Sequence, residues 1–265
     1  MNAFMKWSRY FFTGILSIYA IGCLFLYFFQ ENLIFNPTEL PENYAFGEGQ
    51  EVEIEVEEDT YLNCLHLKNG SSKGVILFLH GNRGSNRRCL RQASVFLGSD
   101  YDIFMPDYRG YGKSDGAIES QKELLSDVQA VYDHLLTQYE ESDIAVVGYS
   151  LGTGPASYLA ANNDPKHLFL VAPYTSFVDL KNQRFPLVPD FLVKYPLNNT
   201  KFIPQSSCPV ALFHAPGDQV IPYSSSERLF ALDKNRIDMI TLAGAGHRGS
   251  IFHQDVRSYV SRVLN

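Results

Sequence analysis

Ile144-Ala145-Val146-Val147-Gly148-Tyr149-Ser150-Leu151-Gly152-Thr153-Gly154 is the stretch on which the reading of the fold turns. An apolar, β-branched run enters Gly-x-Ser-x-Gly, and small residues (Pro155, Ala156, Ala160, Ala161) follow. The pattern predicts a strand, a tight turn and a helix, with Ser150 on the turn. Such a turn strains the backbone of the serine and projects its Oγ from the top of a sheet. Gly148 and Gly152 leave room for strand and helix to approach closely. The residue after the serine opens the helix, so the Leu151 N–H faces developing negative charge with the helix dipole behind it. A bare Gly-x-Ser-x-Gly arises often by chance, and a glycine-rich turn is the plain alternative. Its place between a buried strand and a helix makes it much more specific. A serine so placed still needs a base, an acid to orient that base and a second oxyanion donor.

Composition bounds the rest. At 265 residues, 45% hydrophobic and 19% charged, the chain can bury one large core. A net charge of −7 without a basic run argues against nucleic acid as a partner. Cys23, Cys64, Cys89 and Cys208 have no metal-ligand spacing and are too sparse for a disulfide scaffold, so they read as small buried hydrophobes. No ligand cluster has plausible spacing, and no metal is expected.

The N-terminus stands apart from that core. Tyr10 to Phe29 is a stretch of twenty residues without a charge, long enough to cross a bilayer as a helix. Lys6 and Arg9 precede it, and the next Lys or Arg after it is Lys68. The positive-inside rule then puts the N-terminus in the cytoplasm and the rest of the chain on the outer (periplasmic, lumenal or extracellular) side. A cleaved signal peptide competes, with Ala20-Ile21-Gly22 before a lipoprotein-type Cys23. Leu24 to Phe29 nevertheless continue the apolar run where a mature N-terminus should turn polar. A buried amphipathic helix is disfavoured because the stretch is apolar on every side. The expected organisation is an anchor over residues 1–30, a linker over 31–50 containing Pro37 and Pro41, and a catalytic domain over 51–265.

Within that domain, alternation over 51–67 predicts an antiparallel hairpin. Gly74 to His80 is a continuous apolar run, as for a strand buried on both faces. It ends in His80-Gly81-Asn82-Arg83-Gly84-Ser85, ahead of a helix expected through Leu97, and the Asn82 N–H is the candidate second oxyanion donor. His80, at a strand end, reads as a hydrogen-bonded histidine that shapes the loop. Tyr101 to Pro106 is the next strand. Asp107 and Arg109 beyond it are expected to form a structural ion pair rather than to touch substrate. Ser120 with Glu123 makes a capping box, and Leu124, Leu125, Val128, Val131, Tyr132, Leu135 and Leu136 recur at helical spacing. His167 to Ala172 is a further strand. Residues 174–205 break the pattern with scattered Phe and Pro and read as a small cap. Its aromatics either line an acyl pocket or pack the cap on the core, and Tyr149, Phe177 and Phe185 are the candidate substrate-binding residues. Pro209 to His214 is a strand followed by a loop with Asp218. Arg236 to Leu242 is the last strand, followed by a loop with His247 and a helix from about Ser250 to Val263. Serine, acid and histidine thus each follow a different strand at one edge of the sheet, in the order Ser150, Asp218, His247. His253 is the rival base but falls inside the final helix.

Taken together, His80-Gly81-Asn82, Asp107-Tyr-Arg-Gly-Tyr-Gly112, Gly148-Tyr-Ser-Leu-Gly-Thr-Gly154, Gly217-Asp218-x-Val-Ile-Pro222 and Gly246-His247 resemble the α/β-hydrolase superfamily from about Glu51 to the C-terminus. With the apolar N-terminal segment, the chain looks like a membrane-anchored branch that includes protein depalmitoylases and lysophospholipases. The resemblance implies a mostly parallel eight-stranded sheet flanked by helices, and no cofactor. It also implies a Ser150–His247–Asp218 triad with Asn82 and Leu151 as backbone oxyanion donors. The expected activity is hydrolysis of carboxylic esters or thioesters of a small-molecule or lipid-like acyl substrate. A peptidase or acyltransferase using the same triad is the alternative, and a non-catalytic, membrane-tethered module a more distant one. Two places depart from the branch: His214-Ala215 stands where His-Gly is common, and Arg248-Gly249 follows the histidine where other polar side chains are usual.

Overall fold

The computed structural model describes residues 3–265, so the first two residues of the expected anchor lie outside the described residues. Helix α1 (Ala3–Ile34) runs past the expected boundary at residue 30. Its 32 residues span about 48 Å, and its apolar length suffices to cross a membrane.

Residues 31–50 are not the free linker that their prolines suggested. Strand β1 (Asn36–Pro37) pairs in parallel with β5 (Arg83–Gly84), and the Leu40 N–H donates to the Gly112 carbonyl at 2.7 Å. Phe35 and Leu40 are buried, with the Phe35 ring edge-on to Tyr195 at 5.0 Å. Phe35 ends an apolar Leu33-Ile34-Phe35 run and Leu40 stands alone among polar residues, so neither shows a period, yet both are buried.

The domain is built on an alternation of strands and helices. The hairpin β2 (Gln50–Glu57) and β3 (Thr60–Leu67) comes first, followed by β4 (Val75–Leu79), β5, α2 (Asn86–Ala93) and β6 (Asp102–Pro106). Helix α3 (Gln121–Leu136), β7 (Ile144–Tyr149), α4 (Thr153–Asn162) and β8 (His167–Val171) continue it. After α5 (Phe177–Arg184) and α6 (Asn199–Phe202), it closes with β9 (Val210–His214), α7 (Ser224–Phe230), β10 (Ile237–Thr241) and α8 (Gln254–Leu264).

The main sheet has eight strands in the order β10-β9-β8-β7-β4-β6-β3-β2, parallel except for the hairpin at one edge. Successive side chains of a strand point to opposite faces, so each apolar run feeds two cores. Val75, Leu77, Ile144 and Val146 join α3 and α4 on one face, through Val128, Val131 and Leu159. Ile76, Phe78, Ala145 and Val147 join α2 and α8 on the other, through Cys89, Ala93, Val256 and Val260. All four cysteines are free, and three of them are buried in these layers.

Local chemistry sets the helix ends. The Ser120 hydroxyl accepts from the Glu123 N–H at 3.1 Å, but the Glu123 carboxylate reaches the Glu119 N–H, one residue beyond the expected capping box. Helix α2 stops at Ala93 rather than Leu97: a tighter 3-10 turn follows over Ser94–Phe96, and the Ser94 hydroxyl donates back to the Leu90 carbonyl at 2.7 Å. The last helix starts at Gln254, and His253 caps it, Nδ1 accepting from the Asp255 N–H at 3.3 Å. The rival base is therefore a helix cap and not a helix-interior residue.

The irregular region at 174–205 contains two short helices that its prolines concealed, α5 and α6; the α5 cap Ser176 accepts from the Asp179 N–H at 3.0 Å. This region clasps α1. The Tyr19 hydroxyl donates to the Leu187 carbonyl (2.7 Å), the Gln30 amide to the Leu192 carbonyl (3.0 Å), and Lys194 pairs with Glu31 (2.9 Å). At its tip, Leu187 and Phe191 are 80% and 83% exposed, which leaves a bare apolar edge beside the apolar helix.

Candidate active site

Strand β7 delivers Ser150 to the carboxyl edge of the sheet. The chain reverses there through a tight turn at Ser150–Gly152 and enters α4. Ser150 has φ +52°, a left-handed conformation that a non-glycine residue adopts at a cost of about 1–3 kcal/mol. Two glycines permit the turn. A Cβ on Gly148 would stand 2.6 Å from the Gly152 carbonyl oxygen, and one on Gly152 would overlap the Leu79 carbonyl oxygen of the neighbouring strand. Hydrogen bonds hold the strained backbone: Thr153 Oγ1 donates to the Ser150 carbonyl (2.7 Å) and Tyr174 Oη to the Leu151 carbonyl (3.1 Å).

The loops after β9 and β10 bring Asp218 and His247 to the same edge. Ser150 Oγ is 3.0 Å from His247 Nε2, and His247 Nδ1 is 2.7 Å from Asp218 Oδ2. The other Asp218 oxygen accepts from the Val220 and Ile221 N–H groups at 2.7 and 2.9 Å. Burial by itself would raise the Asp218 pKa. The side chains of His214 and His247 and the Ile221 N–H outweigh it and hold the carboxyl well below the usual carboxylate range. His214, at the end of β9, was visible in sequence as a strand terminus and as half of the His214-Ala215 pair, with no contact to the acid foreseen. Its Nε2 lies 3.4 Å from Asp218 Oδ2 and 3.1 Å from the Ile221 carbonyl, while Nδ1 meets the Ser226 hydroxyl at 2.6 Å. It meets the same carboxylate oxygen as His247.

Asn82 and Leu151 both line the cavity beside Ser150. The loop after β4 lies against the serine: a Cβ on Gly81 would be 3.6 Å from Ser150 Cβ. His80 is fully buried beneath that loop, with Nδ1 2.7 Å from the Gly81 carbonyl, in keeping with a shaping role.

Asp107 and Arg109 do not pair with each other. Asp107 accepts from the Asn86 N–H at 2.8 Å and fixes the start of α2. Its other oxygen has no partner, and burial raises its pKa. Arg109 instead forks onto Asp127 (2.8 and 3.0 Å) and reaches Glu57 and Glu123.

The cavity over Ser150 has a volume of about 600 Å³. Tyr149, Phe177 and Phe185 all line it. Tyr149 also donates to the His247 carbonyl at 3.1 Å and stacks on the His247 ring, so it fixes the histidine loop. Burial pushes its phenol up to about 12. Phe177 leans on Tyr174 at 4.6 Å, and Phe185 is half exposed at the cavity wall. The sequence reading missed one wall altogether: Leu26, Tyr27, Gln30, Leu33 and Ile34 of α1. A run that is apolar all round gives no sign of which side meets a pocket. Among the described residues no His, Cys, Asp or Glu cluster could hold a metal ion.

Comparison with known proteins bears on the fold. Residues 70–200 match the protein-family model described as serine aminopeptidase, S33, a span that contains Ser150 and ends before Asp218 and His247. The chain is 28% identical to the uncharacterized protein Rv2307c of Mycobacterium tuberculosis over 246 residues, covering 89% of this chain and 86% of that one. It is 33% identical over 184 residues to the α/β-hydrolase domain-containing protein 17B of Xenopus laevis, covering 67% of this chain and 61% of that one. Among solved structures, the Pyrococcus furiosus esterase Pf2001 superposes with a TM-score of 0.70 at 20% identity, over 87% of this chain and 97% of that one. The fold they share is the α/β-hydrolase fold.

Proposed function

This chain is a serine hydrolase of the α/β-hydrolase fold, and on that premise we propose that it cleaves carboxylic esters or thioesters of apolar acyl groups through a Ser150–His247–Asp218 triad while anchored in a membrane by α1. The observation that carries the reading is the unbroken contact from Ser150 Oγ to His247 to Asp218 at the floor of a largely apolar cavity.

His247 Nε2 takes the Ser150 proton as Oγ attacks the acyl carbonyl carbon. Asp218 holds the tautomer that leaves Nε2 free to accept, and it stabilises the imidazolium that forms. The Asn82 and Leu151 N–H groups receive the oxyanion, each with a contribution of about 3 kcal/mol in comparable sites. The proton returns through His247 to the leaving oxygen or sulfur, and water then cleaves the acyl-enzyme by the same route.

Ester chemistry is favoured over aminopeptidase chemistry by charge. A free α-ammonium needs a carboxylate beside it, and among the described residues no Asp or Glu lines the cavity. Retention of α1 is supported by the Tyr19–Leu187 hydrogen bond, whose donor lies upstream of a cleavage site at Cys23. Lys6 and Arg9 ahead of the apolar run support a cytoplasmic N-terminus and a catalytic domain on the outer side.

Labelling of the detergent-solubilised protein with a fluorophosphonate, wild type beside Ser150→Ala, tests the assignment. Labelling of the wild type alone is expected, followed by turnover of p-nitrophenyl esters that rises with chain length. A folded wild type that resists the probe overturns the reading.

A further inference from the structure

Charge is unevenly distributed around the cavity. Acidic residues outnumber basic ones in the chain, 29 to 22. Yet Arg83, Arg88, Arg91, Lys181, Arg184 and Arg248 line the cavity, and among the described residues no carboxylate does. Two of the six are engaged within the cap: Lys181 pairs with Asp190 at 2.5 Å, and Arg184 donates to the Val220 carbonyl at 3.0 Å. The arginines that form ion pairs elsewhere are Arg109, Arg228 and Arg236. Arg83, Arg88, Arg91 and Arg248 are exposed and pair with no carboxylate among the described residues.

Their placement is orderly. Arg83 follows the oxyanion-loop residue Asn82, and Arg248 follows His247. Arg88 and Arg91 are three residues apart on α2 and so share a face. Their stems are supported: a Cβ on Gly84 would touch Arg88 Cδ at 3.0 Å, and the Arg91 guanidinium lies over the Phe252 ring at 5.2 Å. The charges of Arg88 and Arg248 reach the Tyr149 phenol, where they oppose the effect of burial. Four guanidinium groups on one cavity, with no carboxylate partner among the described residues, repel one another, and an anion relieves that repulsion. Guanidinium is also the side-chain group best matched to phosphate oxygens. Helix α1 adds Leu26, Tyr27, Leu33 and Ile34 to the lining with Gln30 as its one amide, and α5 adds Phe177 and Leu180 beside Lys181 and Arg184.

We propose that this arginine rim is the leaving-group subsite: it holds a phosphate carried on the alcohol or thiol side of an acyl ester or thioester whose chain lies against α1 and the cap. The proposal rests on the serine hydrolase reading above. In the step it serves, Ser150 Oγ bonds to the acyl carbon and its proton passes to His247. The bond from acyl carbon to the leaving oxygen or sulfur breaks, and the same proton moves from His247 to that atom. The phosphate-bearing alcohol or thiol departs past the rim. Water then releases the fatty acid and restores Ser150.

The test compares three substrates with one acyl chain on the full-length protein in neutral detergent: a monoacylglycerol, the 1-acylglycerol 3-phosphate and the acyl-CoA. The wild type is expected to favour a phosphate-bearing substrate over the neutral one by about tenfold or more in kcat/KM, which corresponds to about 1.4 kcal/mol. The preference should shrink with added salt. Preference for the acylglycerol phosphate alone identifies a lipid source of the phosphate, and preference for acyl-CoA alone a soluble one. In the Arg88→Glu/Arg91→Glu variant the phosphate-to-neutral ratio should collapse through KM. Arg88→Gln/Arg91→Gln gives a milder form of the same change if charge reversal impairs folding. A wild-type ratio near one, or a ratio unchanged in both variants, overturns the proposal. Absence of turnover on all three substrates together with absence of fluorophosphonate labelling would instead mark failure of the hydrolase reading itself.

Discussion

The Asn82 side-chain amide donates to the Ile34 carbonyl at 3.1 Å, so the proposed oxyanion-loop residue caps the end of the proposed membrane helix. The Asn82 carbonyl in turn accepts from the Asn36 N–H (2.9 Å) and from Tyr111 Oη (2.9 Å). The last carbonyls of a helix lack intrahelical partners, and here one of them finds its partner in the active site. The residue whose N–H would receive the oxyanion is therefore held through its side chain and its carbonyl, by the exit of α1 and by Tyr111.

Asn82→Ala retains the backbone N–H but removes the side-chain hydrogen bond to Ile34 that helps position it. A loss in kcat of about tenfold is expected, short of the roughly 10²–10³-fold that follows outright removal of an oxyanion donor. KM for a p-nitrophenyl ester should change little. Steady-state kinetics at several chain lengths checks this, and a change confined to KM would contradict it.

Gly152→Ala places a methyl group against the Leu79 carbonyl oxygen, which belongs to a buried strand and cannot move aside. Destabilisation of about 3 kcal/mol is expected, together with loss of fluorophosphonate labelling even where the variant remains folded. Urea denaturation followed by circular dichroism gives the first quantity, and gel fluorescence the second.

Asp218→Asn keeps the shape of the acid but can present an N–H₂ group to His247 Nδ1, which favours the wrong tautomer. A kcat loss of about 10⁴-fold is expected. The variant should still bind substrate, so KM and the far-ultraviolet circular dichroism spectrum should stay near those of the wild type.

His167, at the start of β8, is 7% exposed and stacks on Phe169 at 4.3 Å. Burial lowers its pKa to about 4, with Asp238 opposing weakly. The unfolded chain takes up this proton near pH 6.5 and the folded chain only near pH 4, so the unfolded state binds more protons between the two values. The histidine's contribution is complete above pH 6.5, falls through that window and is gone below it. The change amounts to about 3 kcal/mol. Denaturation midpoints measured from pH 4 to 7 should show the slope, and His167→Gln should flatten it.

The nucleophile turn was legible in sequence because its requirements are local: a buried strand, two glycines at fixed offsets and small residues beyond. The alternating hairpin and the doubly buried strands were legible for the same reason. His214 was not, because what distinguishes it is the loop that folds back over it, four residues on. The capping of α1 by Asn82 joins residues 48 apart in the chain, and no period encodes such a contact. Arg88 and Arg91 look in sequence like any exposed helical charges until α2 is placed beside Ser150. The burial of Phe35 and Leu40 was hidden by the prolines around them.

The Tyr19–Leu187 hydrogen bond fixes how far the cap reaches along α1: Tyr19 lies fifteen residues before Ile34, about 22 Å back along the helix. In a chain anchored as proposed, that distance carries the bare edge at Leu187 and Phe191 below the headgroups of the outer leaflet. The relevant substrate concentration is then a mole fraction in two dimensions. Turnover in mixed vesicles should fall as inert lipid is added at constant total substrate, because dilution happens in the plane of the bilayer and not in the surrounding water.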